Sequence, residues 1–199
     1  MGRSNVGKSS LINALVRQRI ARTSAAPGKT RLANVYRVAR GAAPPMYLVD
    51  LPGYGYARGG AAAAREFDAL TQAYLGRDGL GTAALLLVDA RHPGLESDRW
   101  AWTWLQTTVE RSAIVATKID KLSRTERQRA IRTCEAVFEH PVLPVSAVTG
   151  EGLDELWTLI DRIRTNHPRP RSRRLSRPAA PPQTDSPPRP RRRSSSSRR

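Results

Sequence analysis

The sequence predicts an α/β fold: a mostly parallel central sheet with helices on both faces. Two observations predict it. Short runs rich in Val, Leu and Ile alternate with longer helix-like stretches through residues 1–166, the pattern of strand–helix–strand units. Turn signals also separate these runs, and a Gly-rich loop opens the first helix-like stretch.

Taken in order, the first helix is expected over about residues 8–18. Strand-like runs follow at Asn34–Ala39 and Met46–Asp50. The alanines at 61–64 start a helix over about 61–75. The strand-like run Ala83–Asp89 then precedes a helix over about 96–110, where Trp100 and Trp104 share a face that Leu105 continues. That face is expected on the sheet, by ordinary helix amphipathicity. After the run Ala113–Thr117, Ser123 and Glu126 form a Ser-x-x-Glu capping box for a helix over about 123–139. Cys134 in this helix reads as a small buried filler. The run Val142–Ser146 leads, through Gly150 and Gly152, to a helix over about 151–165.

Composition excludes several classes. A single cysteine rules out a disulfide framework and any multi-cysteine zinc site. His92, His140 and His167 are too scattered in sequence for a metal cluster. The longest apolar run, Ala83–Val88, is far short of the ~20 residues that span a bilayer. No apolar stretch follows the N-terminus, so a secretory signal is not expected. These features point to a cytoplasmic protein with no membrane insertion. The formal net charge is +17, but residues 167–199 alone hold eleven Arg and one Asp. This Arg/Pro/Ser-rich tail has almost nothing to bury and is expected to be disordered, leaving residues 1–166 as the folded domain.

Residues Gly2, Arg3, Ser4, Asn5, Val6, Gly7, Lys8 and Ser9 form a complete G-x-x-x-x-G-K-S phosphate loop. The glycines let backbone N–H groups turn inward, Lys8 reaches the β and γ oxygens, and the Ser9 hydroxyl binds Mg²⁺. The helix that begins here adds its positive dipole end. Such a loop normally follows a central strand, yet only Met1 precedes Gly2. The first strand is therefore expected to be missing from this chain, leaving two sheet edges unpaired.

Asp50-Leu51-Pro52-Gly53 ends a strand-like run, and open α/β sheets bind ligands at the C-terminal ends of strands. Asp50 can hold Mg²⁺ through water, and the Gly53 N–H can sense a γ-phosphate. Thr117-Lys118-Ile119-Asp120 ends another run. Its carboxylate can accept from the N1–H and N2–H₂ edge of guanine, whereas adenine presents the opposite polarity and is rejected. At Ser146-Ala147, after a third run, a backbone N–H can meet the guanine O6. Each short motif is weak alone; their order, each behind a strand, is a strong signal.

These residues resemble the EngB (YsxC/YihA) family of bacterial ribosome-biogenesis GTPases, in the TrmE–Era–EngA–EngB–septin-like group. The resemblance rests on the phosphate loop extended by Ser10-Leu11-Ile12-Asn13, on Thr23-Ser24, and on Pro27-Gly28-Lys29-Thr30. It continues through Asp50-Leu51-Pro52-Gly53-Tyr54-Gly55-Tyr56-Ala57, Asp89-Ala90-Arg91-His92, Thr117-Lys118-Ile119-Asp120-Lys121-Leu122 and Ser146-Ala147-Val148-Thr149-Gly150. It covers about residues 2–165. It implies a three-layer P-loop GTPase domain that binds GTP and GDP and hydrolyses GTP slowly with Mg²⁺. It further implies a monomer acting on the large ribosomal subunit during assembly, with a role in cell division and septation. By position, Ser9 and Thr30 would be Mg²⁺ ligands, with Gly28 and Lys29 beside the nucleotide. Asn5 falls where K⁺-stimulated relatives hold a monovalent cation, and so joins Lys8 as a catalytic candidate.

Tyr54 stands where Ras-type enzymes place a water-orienting Gln, so intrinsic turnover is expected to be slow. The competing reading is an RNA-binding assembly factor with a vestigial nucleotide site and a working Arg tail. The intact Lys8, Ser9, Asp50 and Asp120 argue against it.

Overall fold

The computed structural model describes residues 1–21, 33–54 and 82–165. The expected helix at 61–75, the block at 23–30 and the tail at 167–199 lie outside the described residues. The elements are α1 (Lys8–Val16), β1 (Asn34–Val38), β2 (Met46–Asp50), β3 (Ala84–Asp89) and α2 (Glu96–Thr108). They continue as β4 (Ser112–Thr117), α3 (Arg124–Phe138), β5 (Val142–Pro144) and α4 (Leu153–Thr165), with a 3₁₀ turn at Ile119–Lys121.

Strands β3, β4 and β5 pair in parallel in that order, with Leu87 opposite Val115 and Val115 opposite Leu143. Strands β1 and β2 pair antiparallel, with Tyr36 opposite Leu48. Their connection is too short for the crossover that parallel pairing requires. Between these two pieces lie Met1–Arg3. The Leu87 N–H donates to the Met1 carbonyl at 2.8 Å. Gly2 bridges Leu87 on one side and Arg3 bridges Tyr54 on the other, both in parallel sense. Among the described residues, the central position is held by this short stretch alone, and the sheet is in two pieces.

Strand residues point alternately to the two faces, and each face carries its own core. Leu86, Val88, Ile114 and Ala116 meet Ala101, Trp102 and Leu105 of α2 and Cys134 and Phe138 of α3. Leu87, Val115 and Val145 meet Leu11 and Leu15 of α1 and Leu156, Trp157 and Ile160 of α4. The result is the expected three layers. The capping box forms as expected: the Glu126 N–H donates to Ser123 Oγ at 3.4 Å, and the Ser123 N–H donates to the Glu126 carboxylate at 2.8 Å. Cys134 is fully buried, and burial, with the Asp98 and Glu135 charges adding, pushes its thiol up to about 11. No helix among the described residues is long and apolar enough to cross a membrane.

One expectation is corrected. Leu105 is buried and Trp104 is partly buried against the core, but Trp100 is 50 % exposed and Trp102, 4 % exposed, takes the inner position instead. The buried positions are Asp98, Ala101, Trp102 and Leu105, a 3–4 spacing that turns Trp102 rather than Trp100 inward. Trp102 packs edge-on against His140 at 4.9 Å between ring centroids.

Replacing Trp102 by Ala should lower unfolding free energy by about 3–5 kcal/mol, the range for emptying a large aromatic from a core. Trp100→Ala should stay within about 0.5 kcal/mol, as surface changes do. Urea unfolding of both variants beside the parent checks this.

Candidate functional site

The phosphate loop turns on two left-handed residues. Asn5 (φ 62°) and Gly7 (φ 109°) reverse the backbone, and α1 begins at the next residue. Contacts from outside keep the loop backbone in place. Thr117, at the end of β4, donates its hydroxyl toward the Val6 carbonyl at 2.7 Å. Lys118 Nζ donates to the Asn5 carbonyl at 2.5 Å. The Ser4 N–H donates to the Tyr54 carbonyl at 3.2 Å.

Lys8 folds back over the loop and donates from Nζ to the Gly2 and Arg3 carbonyls, each at 3.0 Å. Burial pushes its ammonium down to about 8, against the pull of the Asp50 charge. Such a group is poised for an anion, because a polyphosphate beside it would favour the charged form. Ser9 donates its hydroxyl to Asp50 Oδ2 at 2.8 Å. Asp50 is itself buried, and its Oδ1 has no hydrogen-bond partner. An orphaned buried carboxylate oxygen beside a hydroxyl is a donor set that suits Mg²⁺, a hard cation that takes oxygen ligands. The residues present therefore fit the ion. Thr30, Gly28 and Lys29 lie outside the described residues.

Leu51, Pro52 and Gly53 carry the chain from β2 to the loop. Gly53 is wedged there: a Cβ would sit 2.6 Å from the Ser4 nitrogen and 2.9 Å from the Arg3 carbonyl carbon. Only a residue without a side chain passes.

On the other side of the loop, Lys118 takes a left-handed conformation (φ 61°) that opens the turn to Ile119 and Asp120. The Asp120 carboxylate accepts from the Ser146 hydroxyl at 2.8 Å and lies 3.4 Å from Lys121 Nζ. Desolvation alone would raise this carboxylate, but the Ser146 and Lys121 contacts outweigh it and hold it below the ordinary range. Ser146 Oγ also accepts the N–H groups of Val148 and Thr149, at 3.2 and 3.1 Å. Ser146 is thus a buried hub that ties the Asp120 turn to the Ala147 loop. The structure brings together the phosphate loop, Asp50, the 117–120 turn and the Ser146–Ala147 loop, all at the C-terminal ends of strands.

Three roles are not marked by the short motifs. Asp89, at the end of β3, receives Lys118 Nζ at 2.9 Å and a two-pronged Arg91 guanidinium at 2.7 and 2.9 Å. Burial works against its charge, yet these bonds hold it well below the usual carboxylate range. Asn13 clamps the chain leaving α1, accepting the Ile20 and Ala21 N–H groups and donating to the Ala21 carbonyl. Asp98 binds the Tyr54 hydroxyl at 2.8 Å in the interior. The family blocks contain Asp89, Arg91 and Asn13 but give no partner for them. Asp98 lies in none of the blocks.

Fold and site together define a P-loop GTPase, a GTP-hydrolysing class that uses Mg²⁺ with its nucleotide. A family model described as "50S ribosome-binding GTPase" matches residues 1–121. A GTP-binding protein EngB from Lachnospira eligens is 43 % identical over 165 residues, covering 80 % of this chain and 76 % of that protein. An EngB from Thermotoga maritima is 40 % identical over 167 residues, covering 82 % and 84 %. The chain belongs to the EngB family of GTP-binding proteins. Solved structures with the same fold include Era with MgGDPNP and nucleotides 1506–1542 of 16S ribosomal RNA. That match has a TM-score of 0.69 and 21 % identity, over 81 % of this chain and 54 % of that one. A crystal structure of an EngB matches with a TM-score of 0.63 and 22 % identity, over 83 % and 97 %.

Because the ammonium of Lys8 is lowered by burial and would be raised by phosphate, nucleotide binding should take up a proton above about pH 8. Affinity should therefore fall as pH rises through that value. Side-chain NMR of labelled lysine should show Lys8 titrating near 8 without nucleotide and returning toward ordinary lysine with GDP bound.

Proposed function

We propose that this chain is a Mg²⁺-dependent GTPase switch of large ribosomal subunit assembly, cytoplasmic and monomeric, and needed for normal cell division and septation. Its match to a family of 50S ribosome-binding GTPases supports the partner. The observation that carries the switch chemistry is the Ser9–Asp50 pair with its unused buried oxygen, set beside Lys8 at the mouth of the phosphate loop.

In this reading the N–H groups of Gly7, Lys8, Ser9 and the adjoining Ser10 hold the phosphates, while the Ser4 N–H stays on the Tyr54 carbonyl. Lys8 exchanges its two carbonyl partners for β and γ oxygens. Ser9 and Thr30 would hold the Mg²⁺, with Asp50 reaching it through water, and Thr30 would let go when the γ-phosphate leaves. The ion, when bound, neutralises charge that develops on the phosphate oxygens. Gly53 offers its N–H to the γ-phosphate. Asp120 accepts the guanine N1–H and N2–H₂ groups, Ala147 offers an N–H to O6, and the Lys118 stem crosses the loop beside Gly7.

The slow rate follows from Tyr54. Its ring is buried and its hydroxyl is committed to Asp98, so it does not orient water. Lys8 then meets the developing charge with help from K⁺ held near Asn5, or from the ribosomal subunit. The basic tail 167–199 adds salt-dependent affinity for RNA and leaves the chemistry alone.

Asp120→Asn should weaken GTP by at least tenfold and favour xanthosine triphosphate, since the reversed base group then finds a matched partner; roughly that penalty follows from one unpaired buried group. Equal GTP affinity in parent and variant would refute the base assignment. Turnover should be slow in Na⁺ and rise in K⁺ or with large subunits. Phosphate release measured in the four combinations decides this, and fast turnover in Na⁺ alone would sink the proposal.

A further inference from the structure

We propose that Asp98 is a positioning residue for the γ-phosphate contact, acting through Tyr54 on Gly53. This rests on the reading of Gly53 as that contact.

The observations form a closed ring. The Arg3 backbone bridges Tyr54 and the Ser4 N–H binds the Tyr54 carbonyl. The Tyr54 ring runs inward, and its hydroxyl donates to Asp98 Oδ1 at 2.8 Å. Arg3 Nε returns to that same oxygen at 3.5 Å. One carboxylate on α2 thus grips the phosphate loop by a side chain and the Asp-Leu-Pro-Gly turn by its next residue. Gly53, bonded to Tyr54, lies next to this ring, against the Ser4 and Arg3 backbone with no room for a Cβ.

A structural role alone accounts poorly for the choice of residue. Asp98 is 1 % exposed, in the inner face of an otherwise apolar helix stripe. Its Oδ2 has no hydrogen-bond partner, and neither has Arg3 Nε by hydrogen-bond geometry. Burying an under-satisfied carboxylate costs stability, and a native protein that keeps one generally draws some return from it. Here the return is rigidity: Gly53 has its amide fixed before nucleotide arrives, so the γ-phosphate meets a preorganised donor. GDP lacks that phosphate, so the part of the ring's effect that runs through Gly53 falls on GTP alone.

The test compares Mg²⁺–GDPNP with Mg²⁺–GDP affinity, by calorimetry, in the full chain and in Asp98→Asn, Tyr54→Phe, the double variant and Gly53→Ala. Asp98→Asn and Tyr54→Phe should each cut the GDPNP-over-GDP preference roughly tenfold, the scale of one charged hydrogen bond, with GDP affinity held. The double variant should be no worse than the poorer single, because both act through one contact. Equal loss for both nucleotides, or an unchanged ratio with only a lower melting temperature, would overturn the proposal. Gly53→Ala separates the two readings. If it lowers the preference while Asp98→Asn does not, the Asp98 inference fails alone. If it leaves the preference intact, the Gly53 reading fails. Should a variant not fold, the ring signal of ¹³C-labelled Tyr54 in the parent decides. The same buried shift with GDPNP and GDP supports the anchor, and release with GDPNP overturns it.

Discussion

A phosphate loop works only if its backbone donors stay inward and unpaired, so everything that steadies it must grip from outside. That constraint organises this molecule. Thr117 holds Val6, Lys118 holds Asn5, and Tyr54 holds Ser4. Each grip uses a loop carbonyl or an outward N–H. The gripping residues come from β4, from the turn after it, and from the segment after β2. The loop is therefore fixed by the very segments proposed to carry base recognition and the metal carboxylate, so the two proposed roles share one frame.

The frame extends a further step. Lys118 is itself held by Asp89, which Arg91 pins from the other side. Ser146 ties Asp120 to the 146–149 loop. The blocks are thus tied to one another, each supplying a side chain that supports a neighbouring one. Strand ends deliver them all to one edge of the parallel sheet, the place where open α/β sheets present their ligand sites.

Much of this was legible in the sequence. Strand-like runs and the glycine-lysine-serine loop identify the fold, because hydrophobic alternation and phosphate geometry are local properties. Asp50, Asp120 and Ser146 could be placed for the same reason: each closes an apolar run. The phase of α2 could not. Three tryptophans spaced by two residues leave the inner face ambiguous, and a carboxylate at position 98 argues for the wrong side. Only Tyr54, distant in sequence, makes that carboxylate an interior residue. Support by Asn13 and Asp89 was equally hidden, since their partners are backbone groups or side chains that no short pattern records.

The fold-back of Lys8 has a consequence for exchange kinetics. Its partners are two neutral carbonyls rather than a carboxylate, so an arriving anion breaks no salt bridge to claim it. Binding of a phosphate at this lysine therefore exchanges two neutral hydrogen-bond partners for charged oxygens and separates no ion pair.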